Sequence, residues 1–295
     1  MKRLIVTGDD FGLAVPVNEA IEAAHRYGIL TTASLMVGAA SAQDAIDRAK
    51  HLPTLKVGLH LVLVEGRPVL PPATVPALVD ERGEFSSRLF RAGLNFFFRP
   101  GIRHQLECEV RAQFQAFCDT GLELDHVNAH NHMHLHPTVL GLILNIGKDF
   151  GLRSIRVPYE PLIPSLRASG RRSLSKIISW AMLWPWMALL KQRIKLAGIT
   201  SNDYVFGFHD TGHMRTDLIE RLIRSLPQGV TEIYCHPASR RCPEIDGPMP
   251  NYEHEQEFNA LVSSEVKAAL KVCGVQTFAF SDLQVGRWRT QCSKS

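Results

Sequence analysis

The sequence lacks any pair of cysteines at the C-x-x-C spacing that is typical of zinc ribbons and thiol redox sites. Its six cysteines are scattered over 295 residues and suggest no disulfide framework. The amino terminus lacks the hydrophobic region of a signal peptide, because a short apolar run is followed at once by two carboxylates. We therefore expect a protein of the reducing cytoplasm.

A strong excess of charge is also missing. The chain has 33 basic and 29 acidic residues, a net charge of +4, and no basic stripe interleaved with aromatic side chains. We therefore expect no nucleic-acid partner. Hydrophobic residues make up 45% of the sequence and charged residues 21%, as in folded globular proteins. No repeat or low-complexity linker divides the chain, so we expect one domain over residues 1–295.

Aromatic residues are few, 8% of the chain, but three of the four tryptophans lie in one segment, 171–195. Basic residues flank this segment. Its apolar part is shorter than the roughly 20 residues of a transmembrane helix, and Pro185 interrupts it. We interpret 165–200 as an insert. Its segment 171–195 would contact a membrane surface or a hydrophobic substrate. A buried helix, or an interface between copies in a homo-oligomer, explains the pattern equally well.

Strand and helix patterns alternate along the chain. Short apolar runs at 4–6, 31–37 and 56–63 are separated by amphipathic helical patterns, and further strand patterns lie at 154–157, 203–206, 231–235 and 275–280. This rhythm predicts an α/β fold with parallel strands covered by helices. If the strands close into a TIM-like (β/α) barrel, their carboxyl ends converge on one functional face.

Five of the thirteen histidines lie between Asp125 and Pro137. Four of them alternate at positions 130, 132, 134 and 136, so they would share one face of an extended segment. Imidazole is the commonest protein ligand of transition metals, whereas the alternative is an accidental run. Because a typical site uses two or three histidines, we expect some to bind a metal and others to orient the ligands.

Further candidate groups follow other predicted strands. Asp9 and Asp10 come after the first strand, and two adjacent carboxylates there are costly unless a metal or a proton transfer uses them. A single Asp would more simply be a helix cap. His60 lies inside an apolar strand, where a core histidine and a ligand are equally expected. His236 follows a late strand, a position suited to acid–base chemistry. Arg156 could bind an anion, hold a catalytic carboxylate or form a surface ion pair.

Together these groups supply what metal-assisted amide hydrolysis requires. One carboxylate and two imidazoles bind a metal and leave positions open for water and substrate. A second carboxylate can accept a proton from the water, and a histidine can protonate the leaving amine. A metal-dependent phosphoesterase is an alternative, although it would favour more carboxylate ligands and a second metal. A non-catalytic lipid-binding protein that uses the aromatic segment is another.

Four motifs, in order along nearly the whole chain, resemble those of the YdjC-like (ChbG-type) carbohydrate deacetylases. They are Thr7-Gly8-Asp9-Asp10-Phe11-Gly12, Val57-Gly58-Leu59-His60-Leu61, His130-x-His132-x-His134 before Pro137, and Cys235-His236-Pro237-Ala238. The tryptophan-rich segment and the stretch from Gly207 to Met214 resemble the hopanoid-biosynthesis-associated branch of that family.

The resemblance implies a deformed (β/α) barrel that removes the N-acetyl group from N-acetylglucosamine units with one divalent metal ion, Mg²⁺ or Zn²⁺. By motif, the general base and general acid match Asp9 and His236, and the metal ligands match Asp10, His60 and His130. His132, His134 and Arg156 would line the site or support it from behind. Spacing alone also permits His134 as a ligand.

The branch resemblance implies an N-acetylglucosaminyl hopanoid lipid as substrate, and hence a cytoplasmic enzyme at the inner membrane surface. A deacetylase of soluble chito-oligosaccharides is the alternative, but such an enzyme has no need of the 171–195 segment.

Overall fold

The computed structural model describes residues 2–169 and 174–283. The first three residues of the 171–195 segment therefore lie outside the described residues.

In these two ranges, nine strands pair in parallel into one sheet. Eight of them form a continuous path in the order β6-β5-β4-β3-β2-β1-β8-β7, and β9 pairs with β1. The strands are β1 Lys2–Phe11, β2 Thr32–Leu35, β3 Lys56–Leu61, β4 Leu124–Ala129, β5 Ser154–Ile155, β6 Thr200–Ser201, β7 Tyr204–Phe206, β8 Gly229–Cys235 and β9 Gln276–Phe278. The prediction of an α/β fold with parallel strands is confirmed.

Helices connect the strands and cover the sheet. They are α1 Val15–Tyr27, α2 Ala42–Lys50, α3 Leu89–Phe98, α4 Pro100–Asp119, α5 Pro137–Ile146, α6 Leu162–Ser169, α7 Leu174–Leu196, α8 Thr216–Ser225, α9 Pro243–Asp246, α10 His254–Val262 and α11 Ser264–Val272. Short 3₁₀ turns lie at Pro72–Thr74, His130–Leu135 and Gly147–Phe150. None of the described helices is long and apolar enough to cross a bilayer.

The helix α1 shows how the sequence produces these elements. Pro16 lies in its first turn, where the missing N–H costs nothing, and His25 and Arg26 lie in its last turn. Val17 and Ile21 lie on its buried face and pack into the core of the barrel. The helix α7, by contrast, continues through Pro185, so the expected interruption there does not occur.

The two edges of the sheet meet in one short stretch of chain. β6 pairs with β5, β7 pairs with β8, and only Asn202 and Asp203 separate β6 from β7. The fully buried Asn202 accepts a hydrogen bond from Val157 N at 2.7 Å and donates to the oxygens of Val157 and Tyr204 at 2.8 and 2.9 Å. This side chain therefore takes the place of ladder hydrogen bonds where the sheet curls into a deformed barrel.

We expect Asn202→Ala to lower the free energy of unfolding by about 3 kcal/mol, because it leaves buried backbone groups of Val157 without partners. Urea denaturation measures this loss. The matched control is Asn251→Ala at an exposed turn, for which we expect a change within about 0.5 kcal/mol. Equal stabilities of the two variants would contradict this role of Asn202.

Candidate functional site

The carboxyl ends of five strands bring polar side chains to one level of the barrel. In the strand register, Gly8 lies opposite Cys235, His60 lies opposite Asn128, and Val127 lies opposite Ile155. Asp9, His236 and Arg156 directly follow these positions, and His130 comes two residues after Asn128. The groups that the sequence separates by more than 200 positions are therefore neighbours in the structure, as expected at this end of a parallel barrel.

A bulge in β1 shapes the Asp9–Asp10 pair. Gly8 and Phe11 of β1 pair with Ala33 and Leu35 of β2, so β1 carries one extra residue between them. Asp10 adopts a left-handed backbone conformation with φ of 60°. Such conformations are uncommon in residues other than glycine, although Asp tolerates them better than most.

Asp10, His60 and His130 converge and could hold a metal ion. One potential ligand atom from each lies within 4.8 Å of the other two. Asp10 Oδ1 is 3.2 Å from His60 Nε2 and 3.3 Å from His130 Nδ1. These are the three residues that the motifs predict as ligands.

The chemistry of this donor set fits a divalent cation. Both Asp10 carboxylate oxygens are buried without a hydrogen-bond partner among the described residues, which is costly unless a cation binds them. The buried groups of the site include three carboxylates, those of Asp9, Asp10 and Glu232, and one guanidinium, that of Arg156. The carboxylates therefore exceed the guanidinium by two charges. One divalent cation would balance this excess.

The electrostatics of the site also attract positive charge. Burial alone would raise the pKa of Asp10, but the facing imidazoles of His130 and His60 hold that pKa well below its usual range. Burial alone would lower the pKa of His130, but Asp10 and Glu65 raise it above its ordinary value. A position that favours a proton on His130 also favours a metal ion there.

Asp9 belongs to a second cluster, in which ion pairs join Arg156 to two carboxylates. The fully buried Arg156 donates to Asp9 Oδ2 at 2.5 Å and to Oδ1 at 2.9 Å, and to Glu232 at 2.7 and 2.9 Å. Although burial would raise the pKa of Asp9, Arg156 holds it below its usual range. Asp9 is therefore ionised at physiological pH. Arg156 lies in the interior, not in a surface ion pair.

His236 lies across the cavity, directly after β8. Its backbone N donates to Glu257 Oε2 at 2.5 Å, and its carbonyl accepts from His254 Nδ1 at 2.6 Å, so its backbone is held on both sides. Its ring faces Tyr252 with centroids 5.2 Å apart, and its Nδ1 has no hydrogen-bond partner among the described residues. Burial lowers its pKa, and Asp10 and Asp9 oppose that shift.

The expectation of an extended histidine segment with one shared face is wrong. The strand β4 ends at Ala129, and His130–Leu135 form a 3₁₀ turn in which Asn131 and His132 adopt left-handed conformations. The turn sends successive rings in different directions. Only a side chain that follows the strand at once, His130, reaches the Asp10 carboxylate.

The other histidines of the stretch have separate roles. His132 Nε2 lies 2.9 Å from the Tyr234 hydroxyl, and its ring packs on Phe208 with centroids 5.2 Å apart. His134 is fully buried, and burial, with Arg156 and His60 nearby, lowers its pKa to about 3. The His136 ring caps α5 by accepting from Thr138 N at 3.3 Å.

A cavity of about 140 Å³ joins these groups. Its wall includes Asp9, His60, His130, His132 and His236, together with Glu65, Asn131, Phe208, Thr211, Tyr234 and Tyr252. The proposed base, acid and two metal ligands therefore face one space, and Asp10 lies directly behind two of them.

Sequence patterns missed several residues that shape the site. Glu232 lies within the apolar strand β8, and Asn128 lies within β4; both are fully buried. A charged or amide side chain in a buried strand was the available signal, and it is the same signal that identified His60. Glu65 and Tyr252 lie in irregular segments, where no periodic pattern could have identified them.

Known proteins resemble this chain in sequence and in fold. A family model described as YdjC-like protein matches residues 3–272. A carbohydrate deacetylase of Brevibacillus brevis is 30% identical over 283 residues, which cover 95% of this chain and 99% of the relative. One from Geobacillus stearothermophilus is 28% identical over 94% of this chain and 96% of the relative. The solved structure of an Enterococcus faecalis V583 protein, provisionally described as a cellobiose-phosphate cleavage protein, has a TM-score of 0.72 at 25% identity and covers 96% of this chain and 98% of that one.

We expect His130→Ala to weaken Zn²⁺ or Mg²⁺ binding by more than the roughly 10- to 100-fold typical of residues behind a metal ligand. His134→Ala, in the same 3₁₀ turn, should leave the affinity unchanged because its ring does not face Asp10. Calorimetric titration of metal-stripped protein measures both affinities. Loss of binding in His134→Ala, with normal binding in His130→Ala, would reverse the assignment.

Proposed function

Because the chain belongs to the YdjC-like protein family, we propose that it is a metal-dependent carbohydrate deacetylase. It removes the N-acetyl group from an N-acetylglucosamine unit by hydrolysis of the amide and releases acetate. The observation that carries this proposal is the convergence of Asp10, His60 and His130 at the wall of the cavity that Asp9 also lines. Full-length similarity to carbohydrate deacetylases supports it. We take residues 1–295 as one domain.

Asp9 acts as the general base. Its carboxylate is ionised and held in place by Arg156 and by Asn128 Nδ2, which donates to Oδ1 at 3.2 Å. The ion pair makes Asp9 a weak base, so the water that it deprotonates must be acidic. A bound divalent cation, Mg²⁺ or Zn²⁺, would acidify that water and polarise the acetyl carbonyl.

His236 acts as the general acid that protonates the departing amine. Burial lowers the pKa of this imidazole, so its protonated form gives up a proton readily. The Tyr234 ring lies under the Arg156 guanidinium, with Cζ 4.5 Å from the ring centroid. The Tyr234 hydroxyl lies 2.9 Å from His132 Nε2. We assign Tyr234 and His132 to the wall that positions the sugar.

We propose a lipid-linked substrate, a glycosylated hopanoid, in preference to a soluble chito-oligosaccharide. An open, mostly apolar groove of about 720 Å³ lies between α3 and α7 and shares Asn131 and His132 with the catalytic cavity. Its other lining residues include Leu89, Leu94, Phe97, Phe98, Met133, Leu135, Leu183 and Trp186. A sugar in the cavity could extend an apolar aglycone into this groove, whereas a second sugar would find few polar partners there.

The outer surfaces of α3 and α7 form an apolar face that we assign to a membrane surface. Among the described residues, eleven of the fifteen exposed large hydrophobic side chains lie on these two helices. No acidic residue occurs in 85–106 or 161–202, which together hold eleven of the 33 basic residues. Apolar helices in sequence segments that carry basic and no acidic residues suit an anionic bilayer. We propose that the enzyme binds the cytoplasmic side of the inner membrane through this face.

We expect Asp9→Asn to lower turnover by about 10²- to 10⁴-fold, the usual contribution of a general base, while the metal stays bound through Asp10, His60 and His130. Mass spectrometry should show loss of one acetyl group from an N-acetylglucosaminyl hopanoid, with acetate released. Asp149→Asn, at an exposed ion pair, is the control and should match the wild type. Wild-type acetate release by Asp9→Asn would contradict the mechanism, and turnover of chitobiose alone would favour the soluble substrate.

We expect the protein to bind vesicles that contain phosphatidylglycerol more tightly than vesicles of phosphatidylcholine. Phe98→Ser and Met182→Ser, at side chains 69% and 75% exposed, should each weaken binding roughly tenfold, or about 1.4 kcal/mol. Val272→Ser on α11, at a side chain 77% exposed, should not change it. Co-sedimentation measures binding. Equal vesicle binding by all three variants would contradict the assignment of this face to a membrane. Loss of a dimer in Phe98→Ser would assign the face to a second copy of the chain instead.

A further inference from the structure

A row of buried polar side chains, which the proposed chemistry does not use, leads across the barrel to the candidate metal site. It consists of Asp125 and His126 on β4 and Ser34 on β2, and it continues through Asn128 to His60. All five residues are at most 2% exposed. Because buried polar groups are costly unless every one is satisfied, the direction of each hydrogen bond in this row can be deduced.

The direction of these hydrogen bonds is determined first at Asp125, the end of the row farthest from the candidate metal site. Burial would raise the pKa of Asp125, but its hydrogen bond with His126 lowers it, so this carboxylate is ionised and can only accept. His126 Nδ1 lies 2.9 Å from Asp125 Oδ2 and must carry the proton. In the neutral imidazole, His126 Nε2, 3.1 Å from Ser34 Oγ, is then an acceptor, and the serine hydroxyl, which itself accepts from Asn128 Nδ2, donates to it.

The same deduction continues to the metal ligand. Ser34 Oγ, whose hydrogen points to His126, accepts from Asn128 Nδ2 at 2.9 Å. Asp9 Oδ1, an acceptor at 3.2 Å, requires the same amide orientation. Asn128 Oδ1 therefore faces His60 Nδ1 at 2.7 Å, and an amide oxygen can only accept. The proton of His60 lies on Nδ1, and the lone pair of Nε2 points to Asp10 and His130.

We propose that Asp125, His126 and Ser34 are positioning residues, which act through Asn128 to hold His60 in the Nδ1-protonated tautomer that presents Nε2 to a metal ion. Partners behind metal-binding histidines are known to fix the tautomer and orientation of the ring. In this chain the carboxylate that completes the row is three side chains removed from His60.

The packing around His126 leaves its ring little freedom. A Cβ at Gly58 would lie 2.5 Å from His126 Nδ1, so only glycine at that position admits the ring. Phe280 stacks on the same ring, with centroids 4.5 Å apart and planes inclined by 25°. Asp125 Oδ1 accepts from Ser281 N at 2.8 Å, so the chain after β9 fixes the far end of the row.

Two measurements on the full-length protein test the proposal without substrate. In the ¹⁵N spectrum of histidine-labelled, metal-stripped wild type, the His60 signal, identified by its absence in His60→Gln, should show the proton on Nδ1. In calorimetric titration, Ser34→Ala should weaken Zn²⁺ binding roughly tenfold, because the amide of Asn128 loses one of its two anchors. The matched control, Thr231→Val, removes a buried strand hydroxyl that has no hydrogen-bond partner among the described residues, and should bind Zn²⁺ like the wild type.

A proton on His60 Nε2, or a Zn²⁺ affinity of folded Ser34→Ala within twofold of the wild type, would overturn the proposal. If Ser34→Ala does not fold, the wild-type spectrum decides alone. The inference rests on the proposed metal site and not on the identity of the sugar. Failure to deacetylate any carbohydrate, with Zn²⁺ binding intact, would therefore count against the proposed function and leave this inference standing.

Discussion

The ion pairs of Arg156 with Asp9 and Glu232 are the interaction on which the rest of the site depends. Two carboxylates taken out of water would each cost several kcal/mol without a partner, and one guanidinium serves both because its planar group donates along two edges. Asp9 comes from β1, Arg156 follows β5, and Glu232 comes from β8. The cluster therefore fixes the relative positions of strands on opposite sides of the barrel, and it leaves the neighbouring Asp10 as the uncompensated charge.

Much of this arrangement could be predicted from the sequence, because strand ends in parallel α/β folds converge irrespective of sequence distance. Asp10, His60 and His130 come together as the motifs predict. The even spacing of the histidines was misleading, since side-chain periodicity indicates direction only if the backbone is regular, and two left-handed residues break it immediately after His130. The sequence marks Asn128 and Glu232 only as polar residues within buried strands, so their roles emerge only from hydrogen bonds across the barrel.

The site has two kinds of surroundings, and each constrains the substrate differently. Behind the cavity lie hydrogen-bonded polar side chains such as Arg156 and Asn128, which hold Asp9 and His60 in place. In front of it lie the apolar residues of α3 and α7, which lack directional partners and so select by shape and hydrophobicity. For the proposed substrate, recognition of the acetylated amine can therefore be strict while the apolar remainder varies.

The bulge in β1 has a consequence for how the site can evolve. Neighbouring side chains of a regular strand point to opposite faces, yet Asp9 and Asp10 both serve the interior because the extra residue and the left-handed Asp10 turn the chain between them. A single peptide bond then sets the spacing between the proposed proton acceptor, Asp9, and the proposed metal ligand, Asp10. Shifted helices or longer loops elsewhere in the barrel would leave that spacing unchanged, because the two residues are covalently adjacent on the first strand.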